Sequence, residues 1–150
     1  MKKDTKLYNV FFPLWMFWLV SPIIFVVCLV GNFAVDSAVI LICASVLKMA
    51  NKKEFYKKHI LKVYLFGFLA DIVGFVLMLG FMYAGISSMG DEWYLTIPVL
   101  LISAGLLYLF NYKFSFKDLD EVQRKKFALT VAIATAPYTF LVPSSLLYGF

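Results

Sequence analysis

The sequence predicts an all-α, polytopic integral membrane protein with five transmembrane helices. Three observations carry that reading. Hydrophobic residues make up 63% of the 150 positions and charged residues only 15%, against roughly 45–50% and about 25% in soluble domains. Long apolar runs are separated by short clusters of lysine. Those clusters fall in alternate loops, as they do when a chain crosses a bilayer repeatedly. The composition excludes a disordered chain or a collagen-like repeat, and two cysteines exclude a disulfide scaffold.

The spans follow from where charge is absent. Residues 7–47 contain no Lys or Arg and a single acid, Asp36. One helix of that length would be about 60 Å long, roughly twice the hydrocarbon thickness, so the run must reverse. Gly31-Asn32 suits irregular backbone and is the expected turn. It divides the run into a first span over about residues 10–30 and a second over 33–49. A third is expected over 63–86, ended by Ser87-Ser88-Met89-Gly90. The fourth runs over 95–112 and the fifth over 127–147. Asn51-Lys52-Lys53-Glu54 and Asp118-Leu119-Asp120-Glu121 carry capping-box spacing. The third and fifth helices are therefore expected to begin before the membrane, near Lys52 and Leu119.

Orientation follows from the basic residues. With the N-terminus in the cytoplasm, segments 1–9, 48–62 and 113–126 are internal and hold all 14 Lys and Arg residues. Asp91 and Glu92 lie on the opposite side, and the C-terminus is outside. The expected location is the cell membrane, multi-pass. The first apolar region, at about 20 residues, exceeds the roughly 7–15 of a signal peptide, and its retention is expected. A net charge of +5 implies anionic lipid at the cytoplasmic face and no nucleic acid. Aromatic residues among Tyr8, Phe11, Phe12, Trp15 and Trp18 suit a lipid interface. Any homo-oligomer should be parallel, because the charge bias disfavours dual orientation.

Small residues mark helix contacts. Gly67, Asp71, Gly74 and Gly85 fall on one stripe of the third helix, and Ala128, Ala132 and Ala136 on one stripe of the fifth. Cys28 and Cys43 differ in expected depth by about 12 Å, too far for a disulfide, and both are expected to be free.

Ionisable groups inside a membrane are candidates for function. Asp71, about 12 Å from the cytoplasmic boundary, is the leading one, with no basic residue at its depth. Ser103, Thr135 and Tyr138 fall at a similar level by residue counting, as does a carbonyl freed by Pro137 at Ile133. These residues are the expected substrate-binding set. Asn32 and Asp36 form a secondary polar site, with Asp36 placed about 5 Å below the outer boundary, near a helix start. No catalytic residues, metal ligands or cofactor-binding pattern are expected: a second acid or histidine beside Asp71 is missing, and nucleotide, zinc-hydrolase and serine-elbow motifs are absent. The functional expectation is a non-enzymatic transport or permeation protein for a proton, a cation or a small cationic solute. Its alternative is a non-catalytic subunit or assembly factor docking on a partner membrane subunit.

Overall fold

The computed structural model describes residues 22–85 and 93–136. Among them helix is the only regular structure: α1 (Pro22–Val46), α2 (Lys52–Tyr83), α3 (Trp93–Phe110) and α4 (Glu121–Ala134), with a π-helical segment, Asn111–Ser115, continuing α3. Three stretches are long and apolar enough to cross a membrane, Phe25–Val46, Lys52–Phe81 and Tyr94–Ser115. The class this defines is a helical membrane protein. The fourteen residues of α4 include Arg124, Lys125 and Lys126 and stop before Thr135. From Pro137 onward the expected fifth span lies outside the described residues, as does the expected first span up to residue 21.

The turn expected at Gly31-Asn32 is corrected by α1, which runs through both residues without interruption. Glycine lowers helix propensity by about 1 kcal/mol, but reversing the chain there would leave several backbone groups unpaired in an apolar setting, a larger loss. The helix begins instead at Pro22, whose fixed φ and missing N–H suit the first helical position. At 25 residues, α1 is about 37 Å long, so the span expected to be short is a full-length one.

At its other end α1 closes with crossed backbone bonds, Met49 N–H to Ala44 O at 3.0 Å and Lys48 N–H to Ser45 O at 3.1 Å. This is the Schellman arrangement, and it puts Lys48 at φ 52°, in the left-handed region. A side chain with a Cβ is disfavoured there, so Lys48→Gly is expected to stabilise the protein by on the order of 1 kcal/mol. A raised thermal unfolding midpoint in detergent would show it; a lowered one would mean the lysine charge matters more than the backbone.

The reversal over residues 47–51 leads directly into α2, which starts at Lys52 as its capping spacing implies. Asn51 O accepts from Phe55 N–H at 3.0 Å. Gly85 does not extend the small-residue stripe of α2. It lies beyond the helix end with φ 68°, where only glycine is comfortable. At α4 the cap is Asp120, which accepts from Gln123 N–H at 3.2 Å. Asp118, two residues earlier, pairs instead with Lys58 at 2.8 Å.

Packing runs in a ring: α1 on α2, α2 on α3, α3 on α4, and α4 back on α1. Neighbours α1 and α2 are antiparallel, since Ser37 bonds Tyr56 at 2.8 Å while Leu29 O, further back on α1, accepts from Tyr64 at 3.2 Å. The turns at 47–51 and 116–120 meet at one end around a shared cleft, where Lys58 of α2 pairs with Asp118. Every Lys and Arg among the described residues lies in 48–62 or 113–126, around those turns. At this lysine-rich end sits the apolar core, built from Ile40, Cys43, Ala44, Phe55, Val63, Phe116, Phe127 and Val131. Cys43 is free and buried; the side chain of Cys28 is outside the described part.

The π segment has a physical anchor. Widening the helix at Asn111 frees carbonyls from the ordinary ladder, and the Arg124 guanidinium of α4 donates to one of them, Tyr112 O. The same guanidinium stands 4.1 Å over the Tyr112 ring. Phe116 N–H closes the wide turn on Asn111 O at 2.9 Å.

Candidate functional site

With α1 uninterrupted, Asp36 falls fourteen residues after Pro22 and ten before Val46, in the middle of the helix. It is not a wet residue at a helix start: only 5% of its surface is exposed. Its carboxyl points across to α2, where Oδ2 would lie 4.0 Å from a Cβ on Gly67. Asp71 follows Gly67 by one turn and is half-buried. Asp36 therefore meets α2 one turn from Asp71, which puts the two acids close in level rather than at separate depths. Gly67 leaves room for this approach, because a large side chain there would occupy the position of the Asp36 carboxyl.

Among the described residues no base neutralises either acid. Neither acid is in any of the ion pairs among the described residues. The nearest lysine along α2 is Lys62, nine residues before Asp71 and about 13 Å away along the axis. Two carboxyl groups without a counter-charge hold a proton or attract a cation. Asn32 is half-buried on α1. It stands one turn before Asp36 on the same side of the helix.

The buried face of α3 is more polar than its composition suggests. Thr96, Val99, Ser103, Leu107, Asn111 and Ser115 recur every three or four residues, and each is at most 3% exposed. Asn111 Nδ2 donates to Leu107 O at 2.9 Å. Ser103 Oγ, Asn111 Oδ1 and Ser115 Oγ are fully buried with no hydrogen-bond partner. Such atoms are uncommon in folded proteins and call for a partner. By contrast, the outward faces of the helices are apolar, with Val26, Val30, Ile42, Leu61, Leu65, Val76, Leu101 and Leu109 all exposed. The bundle is apolar outside and carries its buried polar groups within.

At the lysine-rich end His59 is 2% exposed and packs against the rings of Phe55 and Phe116, with centroids at 4.1 and 5.4 Å. Its Nδ1 is 2.8 Å from Phe55 O. A carbonyl only accepts, so Nδ1 carries the proton and Nε2 of the neutral ring is a bare acceptor. That Nε2 has no hydrogen bond, and the Asp118 carboxylate stands 3.9 Å from it. Both residues line a cleft of about 350 Å³ with Met49, Asn51, Glu54 and Lys58. The hydrogen bond from Lys58 holds the Asp118 carboxyl below its usual range, so this tie between α2 and the 116–120 turn persists above the normal carboxylate pKa and loosens only as acid protonates Asp118.

The expected set is thus partly brought together. Ser103 is on α3, which packs on α2, and from the Phe66 contacts with Phe110 and Phe114 it lies about one turn beyond the level of Asp71. Thr135 follows the end of α4, whose neighbours are α1 and α3, and its hydroxyl donates to Val131 O of its own helix at 2.8 Å. Its bond capacity is used locally. Tyr138 lies outside the described residues. Sequence reasoning missed Asn111, Ser115 and His59. A helical repeat of Ser103, Asn111 and Ser115 was there to be found; the burial of His59 within a lysine cluster was not. Among the described residues no group of three His, Cys, Asp or Glu side chains is arranged to hold a metal ion.

Comparison with protein-family models, curated proteins and solved structures returns no match. The functional reading therefore rests on the site itself.

Proposed function

We propose that this is a multi-pass protein of the cell membrane that transports or conducts a proton, a cation or a small cationic solute, with Asp36 and Asp71 as the binding acids. The observation that carries the reading is the placement of two carboxyl groups on facing helices, Asp36 buried against Gly67 and Asp71 half-buried one turn further along α2, with neither in an ion pair among the described residues. Ser103 and Asn32 border the site as neutral hydrogen-bonding groups. The chain crosses five times in this reading, with the lysine-rich end in the cytoplasm against anionic lipid and the C-terminus outside. Supporting that orientation is the confinement of the described basic residues to one end of the bundle.

Cysteine labelling in whole cells tests the arrangement. After Cys28 and Cys43 are replaced, Lys57→Cys and Asp118→Cys should both resist an impermeant thiol reagent. Labelling of either from outside contradicts the orientation. Purified protein in liposomes should then move protons or a small cation unaided. A chain that moves nothing alone and co-purifies with a stoichiometric membrane protein would instead favour the subunit reading.

A further inference from the structure

We propose that the species moved is the proton, that it travels along the buried polar face of α3, and that His59 exchanges it with the lysine-rich end. This rests on the reading of Asp36 and Asp71 as the binding acids and narrows it to one substrate. The face from Thr96 to Ser115 spans nineteen residues, about 28 Å of helix. It extends past the level of the acids toward the turns. Its successive polar groups are one or two turns apart, about 6–12 Å, gaps that a file of about one to three bridging water molecules would fill. The orphaned atoms Ser103 Oγ, Asn111 Oδ1 and Ser115 Oγ are the groups such water would bond.

The chemistry of the face favours a proton over a metal cation. Hydroxyl groups accept and donate at once, which is what handing on a proton requires. A sodium or potassium ion needs several oxygen ligands around one point, whereas these groups are strung along a line.

His59 closes the path at one end. Its ring packs against two phenyl rings, Nδ1 is committed to Phe55 O, and Nε2 carries the free lone pair beside the cleft. The charged groups acting on it are Asp118 from the 116–120 turn and Lys58 and Lys62 from its own helix. Phe116 and Phe127, from the turn and α4, complete an apolar surround. A hydronium in the cleft gives its proton to the Nε2 lone pair, leaving water and an imidazolium that the Asp118 carboxylate stabilises. The ring then turns so that Nε2–H faces a water molecule on the inner side, the Nε2–H bond breaks toward that water with its electron pair returning to nitrogen, and the ring turns back to restore the Nδ1–H bond to Phe55 O. Part-way along the face, near the level of Leu107, an Asp71 or Asp36 carboxylate oxygen takes the proton and becomes the acid, with Ser103 one turn beyond.

The test is proton flux in liposomes, followed with an enclosed pH-sensitive dye under an imposed pH gradient. His59→Phe keeps the ring stack but removes the lone pair, and flux should fall about a hundredfold, the lower range for loss of a positioned proton-transfer group. Ser103→Val should lower it as well. Wild-type flux in a folded His59→Phe protein overturns the proposal. If that variant does not fold, the wild-type protein still decides. On transfer to D₂O, the infrared band of the protonated carboxyl, assigned by its loss in Asp71→Asn, should shift within seconds; a band unshifted after hours overturns the path. Asp71-dependent flux of sodium, potassium or an organic cation with no proton movement also overturns it, while leaving the acids as the binding site. Flux that is indifferent to both acids removes the underlying reading as well.

Discussion

Asp36→Asn is expected to stop transport as fully as Asp71→Asn, and the double variant should be no worse than either alone. Asparagine keeps the size and hydrogen bonding of aspartate but can neither carry the negative charge nor take up the proton. If each acid worked independently, the two losses would multiply. Because Asp36 meets α2 at Gly67, one turn from Asp71, the proposed site has the two acids working as a unit, and effects within a unit are strongly non-additive. Initial flux rates for wild type, both single variants and the double variant in liposomes make the comparison. Asp71→Leu serves as the packing control, since it disturbs the helix contact whatever the acid does. A fully active, stable Asp71→Asn protein would reduce that residue to a structural role.

The largest effect on stability is expected at Phe127. Its side chain is fully buried and touches Phe55 at 4.9 Å and Phe116 at 5.1 Å between ring centroids. With Ala128 and Val131 it joins α4 to the core at the lysine-rich end, and it is the largest of the three. Phe127→Ala removes a whole ring from a packed site, a change that costs about 3–5 kcal/mol where the surroundings cannot collapse. Leucine retains much of the volume and should lose less. Unfolding midpoints of the three proteins in one detergent would rank them; an alanine variant as stable as wild type would mean that α4 is not held through this ring.

What the sequence made legible was governed by composition and local signals. The all-α class and the third and fourth apolar stretches came from charge-free runs, and α2 starts at Lys52 where its capping spacing put it. Gly31-Asn32 misled because turn chemistry learned from soluble proteins weighs less where no water can satisfy an open backbone. Ser21-Pro22 held the better signal, a proline at the first helical position. That one displacement also put Asp36 near an outer boundary and hid its relation to Asp71. The π segment and the burial of His59 were beyond reach for a different reason. Both depend on contacts between helices, Arg124 with Tyr112 and His59 with Phe116, that no local pattern encodes.

The central claim is that Asp36 lies inside the bundle against Gly67, where it shares a site with Asp71. A cysteine-free background carrying Asp36→Cys and Gly67→Cys, treated with a short bifunctional thiol reagent and examined by mass spectrometry, tests it without knowledge of the substrate. The two positions should be cross-linked within one chain, because the Asp36 carboxyl already lies 4.0 Å from the Cβ position of residue 67. Ile42→Cys, on the exposed side of α1, should not link to Gly67→Cys. Linking from position 42 but not from 36, or ready labelling of Asp36→Cys by an impermeant reagent outside the cell, would contradict the account.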